Sequence, residues 1–287
     1  MTTLSGPAED VAPLAAPPLA LHALRAMRAI VGRELAKFLR QYGRLASAIV
    51  RPALWLVVFA AGMQNLFGVS PIEPYDTYIP YQEYIVPGLL GIVLLFNGMQ
   101  SSLSLVYDRE VGTMRLLLTA PLPRWYLLLC KLIAGTILSV LQCYAFLAVA
   151  RLVGVYIPWS GWLYVLPALL AAGFMLGAIG LLLSVTIRQL ENFAGTMNFV
   201  IFPMFFLSSA LYPLWKLRES GAQYLYHIST FNPFTHAVEL VRYAAYGKFN
   251  GMALLVVTGC AVACFLLAVL AYDPQRGLIR RRGGGRG

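Results

Sequence analysis

Long uncharged apolar runs alternate along this chain with short segments where the charge collects, as expected of a polypeptide whose main solvent is hydrocarbon. Six such runs, over 52–67, 84–107, 132–150, 163–187, 192–215 and 249–272, approach or exceed the length needed. A bilayer core of ~30 Å takes about 20 helical residues to cross. A closed barrel would require stretches of alternating polarity, and these Leu-, Ala-, Val- and Gly-rich runs do not alternate. The pattern predicts an all-α membrane protein with six transmembrane helices.

Two further segments obey different rules. Leu24, Met27, Val31, Leu35, Phe38 and Tyr42 recur in steps of three and four, with Arg33, Lys37, Arg40 and Arg44 on the opposite face. That spacing predicts an N-terminal amphipathic helix over 21–45, lying in the headgroup layer with its cations toward anionic lipid and water. The segment 220–238 is uncharged, yet Gln223, His227, Ser229, Thr230, Asn232, Pro233, Thr235 and His236 make it too polar for a lipid-facing span. A re-entrant outer-leaflet hairpin before the last span satisfies such a segment, because broken backbone at membrane depth requires cover from protein or water. The expected organisation is a disordered leader over 1–20, the interfacial helix, a six-helix domain over 46–272 and a basic disordered tail over 273–287.

Composition agrees with the pattern. Of the 287 residues, 59% are hydrophobic and only 12% charged, about half the charge of an ordinary soluble domain, which excludes a typical soluble enzyme. The net charge of +10 comes from 22 Lys and Arg, clustered at the ends and in one loop and not on a folded basic face, so it reads as an orientation signal and not as a nucleic-acid surface. With the N-terminus inside, 17 of these cations fall in cytoplasmic segments and five outside. The loop 68–83 carries only Glu73, Asp76 and Glu83 and belongs outside. Both termini are thus expected in the cytoplasm. Cys130, Cys143, Cys260 and Cys264 all lie in apolar runs, where thiols act as small hydrophobes; neither a disulfide nor a metal is expected.

No lysine is followed by Ser or Thr, so the sequence holds no P-loop, and neither HExxH nor CxxC occurs. The most informative stretch is 108–125, DREVGTMRLLLTAPLPRW, where an apolar helix abruptly meets three consecutive charges. Gly112 permits a bend, while Pro121 and Pro123 limit the helix after it to about two turns. A short helix along the cytoplasmic membrane face fits this pattern, and so does a positive-inside loop with an incidental charged triplet.

That stretch, continued by LLLCKLIAGT, resembles the cytoplasmic coupling loop of ABC-2-type permeases, the membrane subunits of type V ABC exporters. ENFAGTMNFVIFPMFFLSSALYPLWKLRE followed by YHISTFNPFTHAVELVRYAAYGK is similar to the same family's fifth span, its outer-leaflet break and the entry to its last span. The resemblance covers roughly residues 25–272. It implies a homodimeric permease, or a closely related arrangement, driven by two copies of a separate ABC ATPase that carries the ATP and Mg, with no cofactor on this chain; six spans with a cytoplasmic N-terminus suit a bacterial inner membrane. It places Asp108, Arg109, Glu110, Gly112, Thr113 and Arg115 at the ATPase contact, together with the interfacial helix bearing Arg33 and Lys37 and the loop from Arg188 to Glu191. The cargo it implies is hydrophobic or amphipathic: a drug-like molecule, a lipid or a glycan.

Within the spans, Asn97, Gln100, Ser101, Ser102 and Ser104 give the second run a polar side, which either packs against another helix or lines a pathway. Phe199, Phe202, Phe205, Phe206 and Tyr212 form an aromatic stripe on the fifth, a surface for an amphiphile or for core packing, with Pro203 able to kink it. Two rival readings stay open on sequence alone. One is a membrane transferase acting on lipid-linked substrates with His227 or His236 as base; the other is a passive channel or scaffold.

Overall fold

The structure is a computed structural model that describes residues 19–40, 43, 46, 50, 52–58, 68–69, 73–110, 123–187 and 189–272. The leader before residue 19, the tail after residue 272 and most of the 108–125 stretch lie outside the described residues. In chain order come α1 (Leu19–Leu39), a helical segment over 52–58, the paired short strands β1 (Gly68–Val69) and β2 (Ile79–Pro80), then α2 (Tyr81–Glu110), α3 (Arg124–Leu152) and α4 (Trp159–Thr186). After these come α5 (Leu190–Phe206), the short helices α6 (Leu214–Glu219), α7 (Gln223–Phe231) and α8 (Pro233–Ala245), and finally α9 (Gly251–Ala271).

Among the described residues, four helices are long and apolar enough to cross a membrane: Tyr81–Tyr107 within α2, then α3, α4 and α9. Of the expected first span, 52–67, only 52–58 is described, and it is helical. The expected fifth span does not run as one helix to residue 215. α5 ends at Phe206 after 17 residues. Pro203 withholds an amide one turn earlier, the amide of Leu207 closes the last turn onto the Pro203 carbonyl, and Pro213 opens α6. Proline likewise precedes α3 (Pro123) and α4 (Pro158), where a missing amide costs the helix nothing.

α4 occupies the centre, against α2, α3, α8 and α9. Its uniformly apolar sequence is what a helix surrounded by others requires. Closest approach falls where α2 meets α4. A Cβ at Gly98 would lie 2.9 Å from the Gly177 amide nitrogen, and one at Gly180 would lie 2.9 Å from the Gly98 carbonyl oxygen. Small residues at such a crossing let backbones touch, and in lipid this packing, not water exclusion, holds helices together. Around the crossing, Leu90, Leu94 and Met99 of α2 and Leu169, Met175 and Leu176 of α4 are fully buried. α1 packs on α3, with the Tyr126 hydroxyl donating to the Ala23 carbonyl at 2.7 Å. Arg33 on α1 is exposed and pairs with Glu34 at 3.0 Å.

Candidate functional site

Backbone that leaves helical geometry inside a bundle must find partners for its carbonyls. The segment 207–213 after α5 finds them in side chains. Asn232 is the hinge of this arrangement: its Oδ1 accepts from the Phe234 amide at 3.0 Å, capping α8, while its Nδ2 donates to the carbonyls of Met204 (2.7 Å) and Leu207 (2.6 Å). Pro233 at the first helical position suits that cap. Thr235 donates to the Ser229 carbonyl at 2.6 Å, and His236 Nε2 lies 3.0 Å from the Thr230 carbonyl, so the Asn-Pro-Phe-Thr-His run ties α7 to α8. His236 is therefore held by the backbone of α7, and His227 is exposed beside the Tyr226 ring.

Two further carbonyls of the break, those of Ser209 and Leu211, are bonded from α2 and α8. Tyr81 donates to Leu211 O at 2.6 Å and Tyr84 to Ser209 O at 2.9 Å. Arg242, only 3% exposed, reaches the same Ser209 oxygen at 2.8 Å through Nη2, pairs through Nη1 with Glu239 one turn before it, and lays its guanidinium 4.1 Å from the Tyr84 ring centroid. A buried charge persists only when paired and hydrogen-bonded, and here it has a carboxylate, a carbonyl and an aromatic face. Burial pushes the neighbouring Tyr75 phenol above its ordinary range, against the pull of the Arg242 charge. Beside this cluster lies a cavity of about 170 Å³, walled by Glu73 and Tyr75 before α2, Tyr84, the turn from Pro213 to Trp215, and Glu239 and Arg242 of α8.

The residues expected to line a pathway divide. Asn97 donates across to Gln142 of α3 at 2.5 Å, and Ser102 and Ser104 bond back to the carbonyls of Gly98 and Ser101, so this side of α2 is at least partly an interhelical contact. Ser101 sits over Gly135, and Gln100 is half-buried. The aromatic stripe is two-sided: Phe205 is buried between Trp55 and Phe234, whereas Phe199 is 79% exposed and Phe202 and Phe206 stack partly exposed. Tyr212 bonds back to the Phe206 carbonyl.

At the opposite end of the bundle, Glu110 closes α2 and its Oε1 accepts from the Leu190 amide at 3.1 Å, at the start of α5. Glu191 is exposed in the first turn of α5. Asp108 and Arg109 fall in the last turn of α2, while Gly112, Thr113, Arg115 and Arg188 lie outside the described residues. Sequence reasoning missed two participants. Arg242 counted only as one of five outer cations, although its i,i+3 spacing from Glu239 on a helix was visible. Gln142, the partner of Asn97, stood within an apolar run.

Apolar helices bundled about α4, with the broken α5 beside them, make this a multi-pass membrane protein. Residues 25–246 match the family model described as ABC-2 type transporter, and the chain belongs to that family. It is 28% identical over 223 residues to the chain named as transport permease ycf38 in Porphyra purpurea, covering 77% of this chain and 74% of that one. Similarity extends to the Escherichia coli K12 inner membrane transport permease YadH (23% identical, 88% of this chain and 96% of that one). The multidrug ABC transporter permease YbhR of the same organism is 27% identical over 58% of this chain and 45% of its own length. Permeases of this family generally work with an ABC ATPase.

Proposed function

We propose that the chain is the transmembrane subunit of an ATP-driven exporter. It expels a hydrophobic or amphipathic molecule, such as a drug-like compound, lipid or glycan, from the cytoplasm or inner leaflet. Two permease copies act as a homodimer with two copies of a separate ABC ATPase that binds ATP and Mg. Six spans cross a bacterial inner membrane with both termini in the cytoplasm, α1 lies in the inner headgroup layer, and α7 and α8 form the re-entrant outer hairpin. The name of the multidrug permease relative supports the cargo class.

The observation that carries the mechanism is that α2 is bonded both to the start of α5 and to the break that follows it. Glu110 holds the Leu190 amide at one end, while Tyr81 and Tyr84 hold Leu211 and Ser209 at the other. A 30-residue helix is about 45 Å long. A push on the stretch after Glu110 is therefore delivered to the break beyond α5 as motion of one clamped pair, a rigid-body shift between two bundle arrangements. ATP-driven closure of the partner favours one arrangement only if it contacts the two unequally, which the charges of Asp108, Arg109, Glu110 and Arg115 supply. Contacts from Gly112, Thr113, Arg33, Lys37, Arg188 and Glu191 complete that surface.

Reversing Arg109→Glu together with Glu110→Arg is expected to abolish transport of an amphiphile in vesicles and to weaken ATPase binding, with membrane insertion unchanged. Glu110→Gln separates two roles, since the amide oxygen still accepts from Leu190 while the docking charge is lost; ATPase affinity falls and the α2–α5 tie stays. Full transport by the double reversal would overturn the proposal.

A further inference from the structure

We propose that the turn between α3 and α4 holds the phosphate diester of a membrane phospholipid, with the Arg151 guanidinium as the binding group. The turn is fixed by its own backbone. Gly154, at φ +95°, lets α3 close with the Gly154 amide on the Arg151 carbonyl at 3.2 Å and the Val155 amide on the Ala150 carbonyl at 3.1 Å. Val155 and Ile157 are buried behind it, and Pro158 leads into α4. Arg151 in the last turn of α3, Tyr156 in the connection and Trp159 at the start of α4 are thereby gathered in one place. The guanidinium carbon lies 5.1 Å from the Tyr156 ring centroid and 5.8 Å from that of Trp159.

Two aromatic faces steady the cation but accept none of its N–H groups as an oxygen would. Among the described residues no carboxylate lies within ion-pair distance of Arg151, whereas Lys248 at the same end of the bundle is paired with Asp76 at 2.7 Å and Arg242 with Glu239. An arginine held over rings keeps its fork of N–H donors for an oxyanion, and that fork matches phosphate in pairs of bonds. The surroundings place the phosphate on a lipid. Leu152, Val153, Tyr156 and Trp159 are exposed around the cation, Leu152 at 86% and Trp159 at 70%, an apolar surface that acyl chains cover and water does not. Trp159, Trp162 and Tyr164 follow one another at the start of α4, the aromatic enrichment that marks the level of lipid headgroups. Binding needs neither the ATPase nor a second copy; only its assignment to the outer leaflet rests on the proposed orientation.

Native mass spectrometry of the delipidated full chain tests it, with titration by dioctanoyl phosphatidylglycerol, by dioctanoylglycerol, which has the chains without the phosphate, and by glycerophosphoglycerol, which has the phosphate without the chains. The phospholipid is expected to bind several-fold more tightly than either. Arg151→Gln is expected to remove that preference while keeping the parent's unfolding temperature in lipid-free detergent, because the side chain is partly exposed and bonds to no other residue. Arg151→Lys keeps the charge without the fork and is expected to recover only part of the binding. Trp159→Leu keeps the apolar cover but removes one ring, and is expected to weaken phospholipid binding. Lys248→Gln, which removes a cation already paired, is expected to leave it unchanged. Equal binding of dioctanoylglycerol or of glycerophosphoglycerol, parental binding in Arg151→Gln, or the same loss in Lys248→Gln as in Arg151→Gln would overturn the proposal.

Discussion

At the scale of single residues, the break after α5 stands on two side chains. Asn232 makes one cap bond and two carbonyl bonds. A lost cap costs about 1 kcal/mol and each buried carbonyl left unpaired costs at least as much, so Asn232→Ala is expected to destabilise by ~2–4 kcal/mol in detergent unfolding. Asn232→Asp provides the sharper test. Aspartate caps helices as well as asparagine does, but it cannot donate to Met204 and Leu207 and would set a charge against both. It is expected to be at least as damaging as alanine; stability equal to the parent would show that the cap alone matters. For Arg242→Met the expected loss is about 3–5 kcal/mol, because Glu239 is left partly buried without its partner. Lysine should not rescue it, since one ammonium cannot serve Glu239, Ser209 and the Tyr84 face in the same geometry. Asn232 stood in the sequence only as a polar residue of 220–238 and within the family-like stretch; its cap on α8 is local chemistry that Asn-Pro could have announced, whereas its bonds to Met204 and Leu207 are not. The role of Arg242 was not legible, because its partners Ser209 and Tyr84 are remote in sequence and only the folded chain brings them together.

Among elements, the decisive contact is the crossing of α2 and α4. Gly98→Leu or Gly180→Leu would drive the helices apart where their backbones meet. Overpacking costs ~1–3 kcal/mol where neighbours can yield, and backbone yields less than side chain, so these variants should fall at or beyond the upper end. Folded yield and unfolding temperature in detergent measure the loss. Gly195, inside α5 with open space around its Cβ position, serves as the control, and Gly195→Ala should lower neither. The long helices α2, α3, α4 and α9 were legible in the sequence because continuous apolar runs of that length admit one structure in lipid. The end of α5 was misplaced by about nine residues because residues 207–213 are uncharged and look like more span. Pro203 and Pro213 were visible local signals, but what holds the break is a set of side-chain donors from α2, Asn232 and α8, which no local pattern announces. The two-sided aromatic stripe has the same cause: burial of Phe205 and exposure of Phe199 depend on what Trp55 and Phe234 cover.

For the whole molecule, the clamped pair of α2 and α5 makes the proposed drive physically direct, linking the end that bears the Asp-Arg-Glu triplet to the polar break at the other. The sequence holds no P-loop, so the proposed drive stands or falls on a partner ATPase. The most direct measurement is mild-detergent purification of the tagged full chain from its native cells, with identification and stoichiometry of what co-purifies. The account predicts a near-equimolar subunit carrying a P-loop, retained in the parent and lost when Arg109 and Glu110 are reversed together. Recovery of the chain alone, under conditions that preserve a known ABC complex, would contradict it.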